Sequence, residues 1–363
     1  MNKKVLFIRY KKPDKIFEGG EQLTQTHLEA LYELFGKENV DVFHVHEHDR
    51  KRSIWDIIYG SVLFLFDYHF GLTPNKVQSI VKKLDKYDYL FIGRSIFGII
   101  AKKAKKMGYK GQIISFFHNV EKDYFDAKLP HIPGRGIVLR CVDRNDAMTC
   151  RYSDVILALN TRDANLIENR YHRKVDAFLP VMLRDKYKKD SYSTELTQGR
   201  PRCLFLGTYF GPNVDGLEWF VDNVFPYVDI TLDIVGKGME KLSGDKYKQP
   251  GITVIPNAPS LLPFFEKSDI MVLPIFSGAG MKVKTCESLM FGKNIIGSTE
   301  AFEGYEADFD SIGGKCDTAQ EFIDAIKGFI KTPRPVFNNY SRSVYLEKYS
   351  FKVMFDTLRK IMS

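Results

Sequence analysis

The stretch DIMVLPIFSGAGMKVKTCESLMFGKNIIGS, residues 269–298, holds one complete strand–helix–strand unit. It opens with the apolar run DIMVLP (269–274), passes through a glycine loop, continues as a helical pattern over 281–291 and ends in NIIGS (294–298). Short apolar runs that alternate with amphipathic helices are typical of right-handed βαβ units around a buried parallel sheet. The stretch therefore predicts an α/β fold.

The same alternation recurs along the chain in two sets of five predicted strands. The first set is VLFIR (5–9), VDVFHVH (40–46), YLFIG (89–93), QIISFF (112–117) and DVILAL (154–159). The second set is CLFLG (203–207), TLDIVG (231–236), ITVIP (252–256), DIMVLP (269–274) and NIIGS (294–298). Two such sets predict two Rossmann-like domains that face each other across a cleft at the carboxyl ends of their strands.

Composition shifts give the predicted domain bounds. A charged, polar stretch separates the two sets of strands, and Pro333 and Pro335 precede a final amphipathic helix at about 340–361 that we expect to return to the first domain. The predicted parts are a first domain over 1–182, a linker over 183–201, a second domain over 202–333 and a terminal segment over 334–363.

Composition narrows the class of protein. The chain has 363 residues, 44% of them hydrophobic, which excludes disordered, collagenous and coiled-coil classes. With 53 Lys and Arg against 45 Asp and Glu, the net charge is +8, and this basic excess favours an anionic partner. Five scattered cysteines without a CxxC pair favour reduced thiols in a cytoplasm.

No membrane span is expected from the sequence. The most apolar run is IIYGSVLFLF, Ile57 to Phe66, which is bracketed by Asp56 and Asp67. Ten uncharged residues fall well short of the roughly 20 that a spanning helix needs. The short apolar run VLFI near the N-terminus is likewise too brief for a secretory signal.

The glycine loop at Gly278 and Gly280 has the chemistry of an anion site. A glycine loop that opens into a helix presents unpaired backbone N–H groups and the positive end of the helix dipole. Lys282 and Lys284 fall in the predicted first turn, where the dipole disfavours positive charge and a bound anion would remove the penalty. The alternative is a solvated Lys284–Glu287 ion pair at i,i+3.

This segment resembles the donor-binding signature of retaining glycosyltransferases with the GT-B fold, the group 1 or family 4 enzymes. The matching residues are Pro274, Gly278, Gly280, Lys284, Glu287, Gly292, Ile295, Ile296, Glu303 and Gly304. The resemblance implies that Glu287 holds the nucleotide ribose and Lys284 the diphosphate. Ser277, Met281 and the loop between them would line the donor. Many members carry an earlier glutamate where this chain has Ala279.

Other segments resemble the same family. FEGGEQLTQTHLEAL (17–31) is similar to its N-terminal glycine loop, so Gly19 and Gly20 would approach the donor, unless they form a plain βα turn. RCLFLGTYFGPNVDGLEWF (202–220) is similar to the start of the donor domain and places Gly207 and Asn213 at the cleft. Family members often carry Arg and Lys on this loop, and neither is present here.

Two further segments complete the implied site. VIPNAP (254–259) would bring Asn257 and Ala258 close to the nucleotide base. His118, directly after a buried strand, would sit beside the donor sugar by resemblance, with Glu121 nearby. The implied catalytic residues are thus His118, Lys284 and Glu287, although a histidine at a strand end can also be a structural cap.

Three other patterns in the sequence bear on function. HVHEHD places His44, His46 and His48 along a strand end, but no matching pair supports a metal site. Asp308-Phe309-Asp310 forms a DxD motif late in the chain, where we expect it to be incidental. Lysines crowd IIAKKAKKMGYKG (99–111), which is either a solvated helix face or a surface for an anionic membrane leaflet.

The implied function is a retaining, metal-independent glycosyltransferase that needs no cofactor. It would move a sugar from a nucleotide-diphosphate donor to a saccharide or lipid-linked saccharide acceptor in bacterial envelope or exopolysaccharide synthesis. The expected location is the cytoplasm or its membrane face, and no nucleic-acid module is present. A nucleotide-sugar epimerase on the same scaffold and a non-catalytic relative are the alternatives.

Overall fold

Both halves of the chain wind their strands into parallel sheets. The computed structural model describes residues 3–11, 19–46, 54–69, 71–130, 133–188, 199–278 and 280–363. Contacts divide the chain into two units, Met1–Pro180 with Met354–Ser363 and Val181–Val353. Within the described residues, each unit contains one sheet of six strands, and every strand pairing in both sheets is parallel.

The first unit carries a sheet in the order β2-β1-β3-β4-β5-β6. Its strands are β1 (Val5–Lys11), β2 (Val40–His46), β3 (Tyr89–Ile92), β4 (Gln112–Phe117), β5 (Val155–Ala158) and β6 (Ala177–Phe178). Its helices are α1 (Gly19–Phe35), α2 (Ile54–Leu65), α3 (Pro74–Val81), α4 (Gly98–Lys106), α5 (Glu121–Lys128), α6 (Arg135–Tyr152) and α7 (Thr161–Tyr171).

The second unit carries a sheet in the order β12-β11-β10-β7-β8-β9. Its strands are β7 (Arg202–Leu206), β8 (Thr231–Gly236), β9 (Ile252–Pro256), β10 (Ile270–Leu273), β11 (Asn294–Gly297) and β12 (Gly313–Lys315). The remaining helices are α8 (Gly211–Asn223), α9 (Leu262–Lys267), α10 (Val283–Met290), α11 (Phe309–Ile312), α12 (Ala319–Lys331), α13 (Asn339–Val344) and α14 (Phe351–Ile361).

Burial explains why these segments are strands. All four residues of β3 and all four of β10 are buried, as expected for central strands covered by helices on both faces. Such strands are continuous apolar runs and can therefore be recognised in the sequence. The five predicted strands of each set are all present in the structure. The α/β class with two Rossmann-like units, predicted from the alternation, is confirmed.

The short elements differ from the sequence-based expectation. Each sheet gains an edge strand that was not predicted, the two-residue β6 and the glycine-rich β12. The single helix predicted over 340–361 is interrupted, because Ser350 adopts an extended conformation and pairs with Leu183. Three helices, α2, α5 and α11, were also not predicted.

The unit bounds differ from the predicted domain bounds. Leu183 donates its N–H to Tyr349 O at 3.1 Å and accepts from Phe351 N at 2.9 Å, so the start of the predicted linker at 183–201 belongs to the second unit. Residues 189–198 of that linker lie outside the described residues. Of the terminal segment 334–363, only residues from Met354 onward group with the first unit.

Within the first unit, the chain end is fixed by one side-chain contact. The Tyr89 hydroxyl donates to Met362 O at 2.6 Å. Met362 is also buried, so the last turn after α14 packs into the first unit.

Candidate active site

The strand order of the second sheet reverses between β7 and β10. In open α/β sheets, ligands bind outside the carboxyl ends of the strands at this point, because the connections leave in opposite directions and open a crevice. Gly207 follows β7, and the segment from Pro274 to Met281 follows β10. The residues that the sequence singled out in these two loops therefore lie at the position where the fold itself provides a site.

The glycine loop has the backbone conformation that its sequence predicts. Gly278 has φ of 137° and Gly280 has φ of 65°, values that favour glycine. Ser277 and Gly278 are exposed, Gly280 and Met281 are buried, and Ala279 lies outside the described residues. Helix α10 begins at Val283, and no side chain caps it. In its first turn Thr285 N donates to Lys282 O at 3.0 Å. The N–H groups ahead of Thr285 are those that an anion can reach at the start of a helix.

Lys282 lies at the N-cap of α10 rather than in its first turn. Its Nζ lies 2.6 Å from Glu300 Oε1 and donates to Gly280 O at 2.9 Å, while the Tyr305 hydroxyl donates to Lys282 O at 2.8 Å. Both charged side chains of the ion pair are largely buried. The expectation that two lysines oppose the dipole is therefore corrected: Glu300 neutralises Lys282, which fixes the loop instead.

Lys284 is the cation that the site presents. Its Nζ donates to Asn213 Oδ1 at 2.8 Å and lies 4.9 Å from the centre of the Phe205 ring. The contact joins α10 to α8 and so bridges the two sides of the switch point. Burial lowers the pKa of Lys284 to about 7, with a further lowering from the charge of Lys282, and Glu287 acts in the opposite direction.

This low pKa means that the negative charge near the protonated Lys284 does not offset the cost of burying it. An anion placed at Lys284 would favour the charged form and restore the pKa toward its ordinary value. Glu287 follows on the same helix, partly buried. The arrangement can therefore hold one anionic group at the amino end of α10.

Close backbone packing shapes the same crevice. A methyl group at Gly216 would overlap the carbonyl of Pro274, and one at Gly236 would overlap the carbonyl oxygen of Gly207. Helix α8 thus packs directly on the end of β10, and the end of β8 packs on the loop after β7. Only glycine permits these approaches.

Asn257 forms a polar corner after β9. It has φ of 54°, its Oδ1 accepts from Gly238 N at 3.3 Å, and its Nδ2 donates to Glu240 Oε2 at 3.1 Å. Asn257 is exposed and Ala258 is half-buried. The structure places both in the second unit at a carboxyl strand end, where the sequence-based expectation put them.

In the first unit, His118 is buried directly after β4. Its Nε2 lies 3.3 Å from Thr24 Oγ1, and the Thr24 hydroxyl donates to Gly20 O at 2.9 Å. Gly20 therefore lies near the histidine, within α1, which begins at Gly19. Burial lowers the pKa of His118 well below its ordinary value, and the charge of Arg94 adds to this, so the ring is neutral near pH 7.

Arg94 and Glu121 form an ion pair beside this histidine that the sequence did not reveal. Arg94 Nη2 lies 2.8 Å from Glu121 Oε1, and Glu121 is fully buried. The two residues are 27 positions apart, so no local spacing signals the contact. The same holds for Lys282 and Glu300, 18 positions apart.

The weaker sequence patterns have structural explanations. His44 and His46 lie on β2, whereas His48 falls outside the described residues. Among the described residues, no three His, Cys, Asp or Glu side chains come together to hold a metal ion. Asp308 of the DxD motif caps α11 by accepting from the backbone N–H groups of Asp310 and Ser311.

Comparison with known families finds a match within the second unit. Residues 200–332 match the family model described as glycosyl transferases group 1. This part of the chain is similar to the group 1 glycosyltransferases. The match contains both sides of the switch point, from β7 and Asn213 to the glycine loop, Lys284 and Glu287.

Solved structures are similar in fold to the whole chain. HepE of Anabaena in complex with UDP has a TM-score of 0.68 at 10% identity, and the match covers 99% of each chain. Sucrose-phosphate synthase of Thermosynechococcus elongatus has a TM-score of 0.71 at 12% identity and covers 99% of this chain and 98% of that one. These likenesses show that the chain has the GT-B fold.

One curated relative also matches. It is an uncharacterized 44.6 kDa protein in the cps region of Klebsiella pneumoniae, 28% identical over 141 residues. The match covers 35% of this chain and spans about a third (34%) of the relative's length.

Proposed function

We propose that this protein is a retaining glycosyltransferase that takes its sugar from a nucleotide-diphosphate donor. One observation carries the proposal. Lys284 is held by Asn213 at the switch point of the sheet, within the residues that match the group 1 family model, next to an uncapped helix end, and its pKa is lowered by burial. A diphosphate supplies the negative charge that this arrangement needs.

The proposed reaction is the front-side substitution that the resemblance to group 1 enzymes implies. The bond between the anomeric carbon and the diphosphate oxygen breaks, and a bond from that carbon to an acceptor hydroxyl oxygen forms on the same face. The acceptor proton passes to the leaving diphosphate oxygen. Lys284 and the amides around Gly280 stabilise the charge that develops on the diphosphate, so no metal ion or other cofactor is required.

Glu287 and the loops after the other strands complete the proposed donor site. We propose that Glu287 binds the ribose hydroxyls and that Asn257 and Ala258 lie beside the base. For the first unit we propose acceptor binding, and for Gly19 and Gly20 at the start of α1 and the neutral His118 we propose contacts with the donor. His118 would donate or accept one hydrogen bond at the reacting sugars without adding charge.

The proposed acceptor is a saccharide or lipid-linked saccharide of a bacterial polysaccharide. The cps-region relative and a lipopolysaccharide outer core galactosyltransferase, WaaB, support this class. WaaB has a TM-score of 0.65 at 14% identity over 99% of both chains. We propose a cytoplasmic location at the membrane face. No helix in the described part of the chain has the length and apolar run needed to cross a bilayer.

The test is donor turnover with a chelator present. Purified protein is incubated with a panel of nucleotide-sugars, beginning with UDP-glucose because HepE was solved with it. Release of the nucleoside diphosphate in excess EDTA, with proton NMR showing the donor's anomeric configuration in the product, would support the proposal. Turnover that needs an added divalent cation, or a product of inverted configuration, would contradict it.

Donor affinity should fall as the pH rises through neutrality. The free protein has a Lys284 pKa of about 7, and a bound diphosphate raises it, so binding takes up a proton above pH 7. We expect affinity for a nucleotide-sugar to fall by about a hundredfold between roughly pH 6 and pH 9 if the bound pKa lies above that range. Calorimetry across this range measures it. The slope should vanish in Lys284→Met, and a flat profile in the parent protein would contradict the assignment.

A further inference from the structure

Helix α2 exposes an apolar face. Tyr59, Val62 and Leu65 recur at helical spacing on α2, Phe66 follows its last residue, and each of the four is between 45% and 63% exposed. These residues belong to the apolar run Ile57–Phe66. Water-soluble monomers seldom leave neighbouring large apolar side chains uncovered unless a partner or a membrane covers them.

A groove opens beside this face, between α2 and α6. Its volume is about 440 Å³, and it is lined on one side by Phe64 and Leu65 and on the other by Ile137, Arg140 and Arg144. Ile137 is 43% exposed, which extends the apolar face across the groove. Arg144 Nε lies 3.0 Å from Asp67 Oδ1, so its guanidinium is oriented at the edge.

Positive charge lies on one wall of the groove and on the helix that packs against that wall. Arg140 and Arg144 are exposed on α6, and α4, which packs against α6, exposes Lys103 and Lys106. The apolar Met107 follows at the end of α4, 63% exposed. The charges of Arg144 and Lys102 both act on the buried Asp67, which places Lys102 close to the same groove.

We propose that this α2–α6 surface docks on an anionic lipid bilayer. The apolar face of α2 enters the interface, and the groove receives a phosphate-bearing lipid headgroup at Arg140 and Arg144. A helix of 12 residues lies in the interface plane rather than crossing it. The inference builds on the proposed membrane-face location and needs no donor or acceptor.

The apolar and basic side chains lie side by side on this surface, and an anionic bilayer complements both kinds better than a nucleic acid or a second copy of the chain. A nucleic acid would pair with the cations but would leave the apolar face of α2 uncovered. A second copy docked symmetrically would cover that face but would bring two sets of arginines and lysines together. An anionic bilayer satisfies both, because its headgroups attract the cations and its acyl boundary accepts the apolar side chains.

Liposome flotation of the full-length protein tests the proposal without nucleotide. Vesicles of phosphatidylcholine alone are compared with vesicles that contain about 30% phosphatidylglycerol, at low and at high salt. We expect binding to the anionic vesicles only, weakened by salt. Each basic residue near the leaflet strengthens binding about fivefold, so Lys103→Glu/Arg140→Glu should weaken it at least tenfold. The double variant Val62→Glu/Phe66→Glu should also weaken vesicle binding at least tenfold, at both salt concentrations.

Matched controls come from the second unit. Tyr227→Glu removes a side chain that is 62% exposed, and Lys327→Glu reverses an exposed charge, and both variants should bind as the parent does. Lys284→Met should also bind vesicles normally, so that a failure of lipid binding is distinguishable from a failure of the donor assignment. Equal binding to both vesicle types would overturn the proposal. The proposal would also be overturned if the parent protein were a dimer and the α2 variants bound the vesicles normally but were monomers.

Discussion

Replacing Lys284 by methionine is expected to weaken binding of a nucleotide-sugar by about 10- to 100-fold. Loss of a charge-assisted hydrogen bond to a diphosphate costs about 1.5–3 kcal/mol. In the parent protein Lys284 Nζ lies 4.9 Å from the centre of the Phe205 ring. Methionine keeps an unbranched side chain over this ring. The substitution therefore removes the charge and the hydrogen bond to Asn213 while largely keeping the packing. Calorimetry with a non-hydrolysed donor analogue measures the effect.

The loss of donor binding should not be a loss of folding. Lys284 has a folded-state pKa of about 7, below its ordinary value, so its protonated form is less stable in the folded than in the unfolded chain. Removing the charge should leave the thermal midpoint of the empty protein unchanged or higher near neutral pH. Added donor should then raise the midpoint of the parent protein more than that of the variant at the same donor concentration.

A matched lysine variant completes this experiment. Lys327, on α12 and exposed, carries the same charge in the same unit, and Lys327→Met should bind donor as the parent does. If Lys284→Met also bound with parental affinity, the diphosphate would have to lie elsewhere in the chain. If both variants lost affinity equally, the effect would be one of net charge rather than of contact.

The strands of this protein were predictable because burial acts locally on sequence. A central parallel strand is covered on both faces, so β3 and β10 consist of apolar residues throughout. The edge strand β12 is Gly-Gly-Lys, with no side-chain pattern, and exists only because Gly313 and Gly314 align with Ile295 and Ile296. That pairing depends on the tertiary structure and has no signal in the local sequence.

Ionic partners escaped prediction for the same reason. The sequence placed Lys282 and Lys284 together on one helix end, and nothing local distinguishes their roles. The structure separates them, because Glu300 follows β11 and returns to Lys282 while Asn213 on α8 receives Lys284. Helix α2 was missed for a different reason, since Tyr59, Val62 and Leu65 on it are exposed and do not form a core-facing pattern.

Gly236→Ala is expected to destabilise the second unit by about 3 kcal/mol or more, the upper end of what overpacking costs. The added methyl group would overlap the carbonyl oxygen of Gly207, and because both sides of the contact are backbone, no side-chain rotation can relieve it. The loop after β7 or the end of β8 must therefore move. This movement is opposed by the hydrogen bond that Gly207 N donates to Val235 O at 3.1 Å. Urea unfolding measures the loss.

Gly211→Ala is the matched control, because a methyl group there meets no atom nearer than Asp215 Oδ2 at 4.0 Å. It should leave stability within about 0.5 kcal/mol of the parent's. A Gly236→Ala protein that stays folded should still bind donor poorly, since Gly207 precedes α8 and the Asn213 that orients Lys284. Parental stability and donor affinity in Gly236→Ala would mean that the two strand ends do not meet as closely as described. The glycine pair would then shape no part of the donor site.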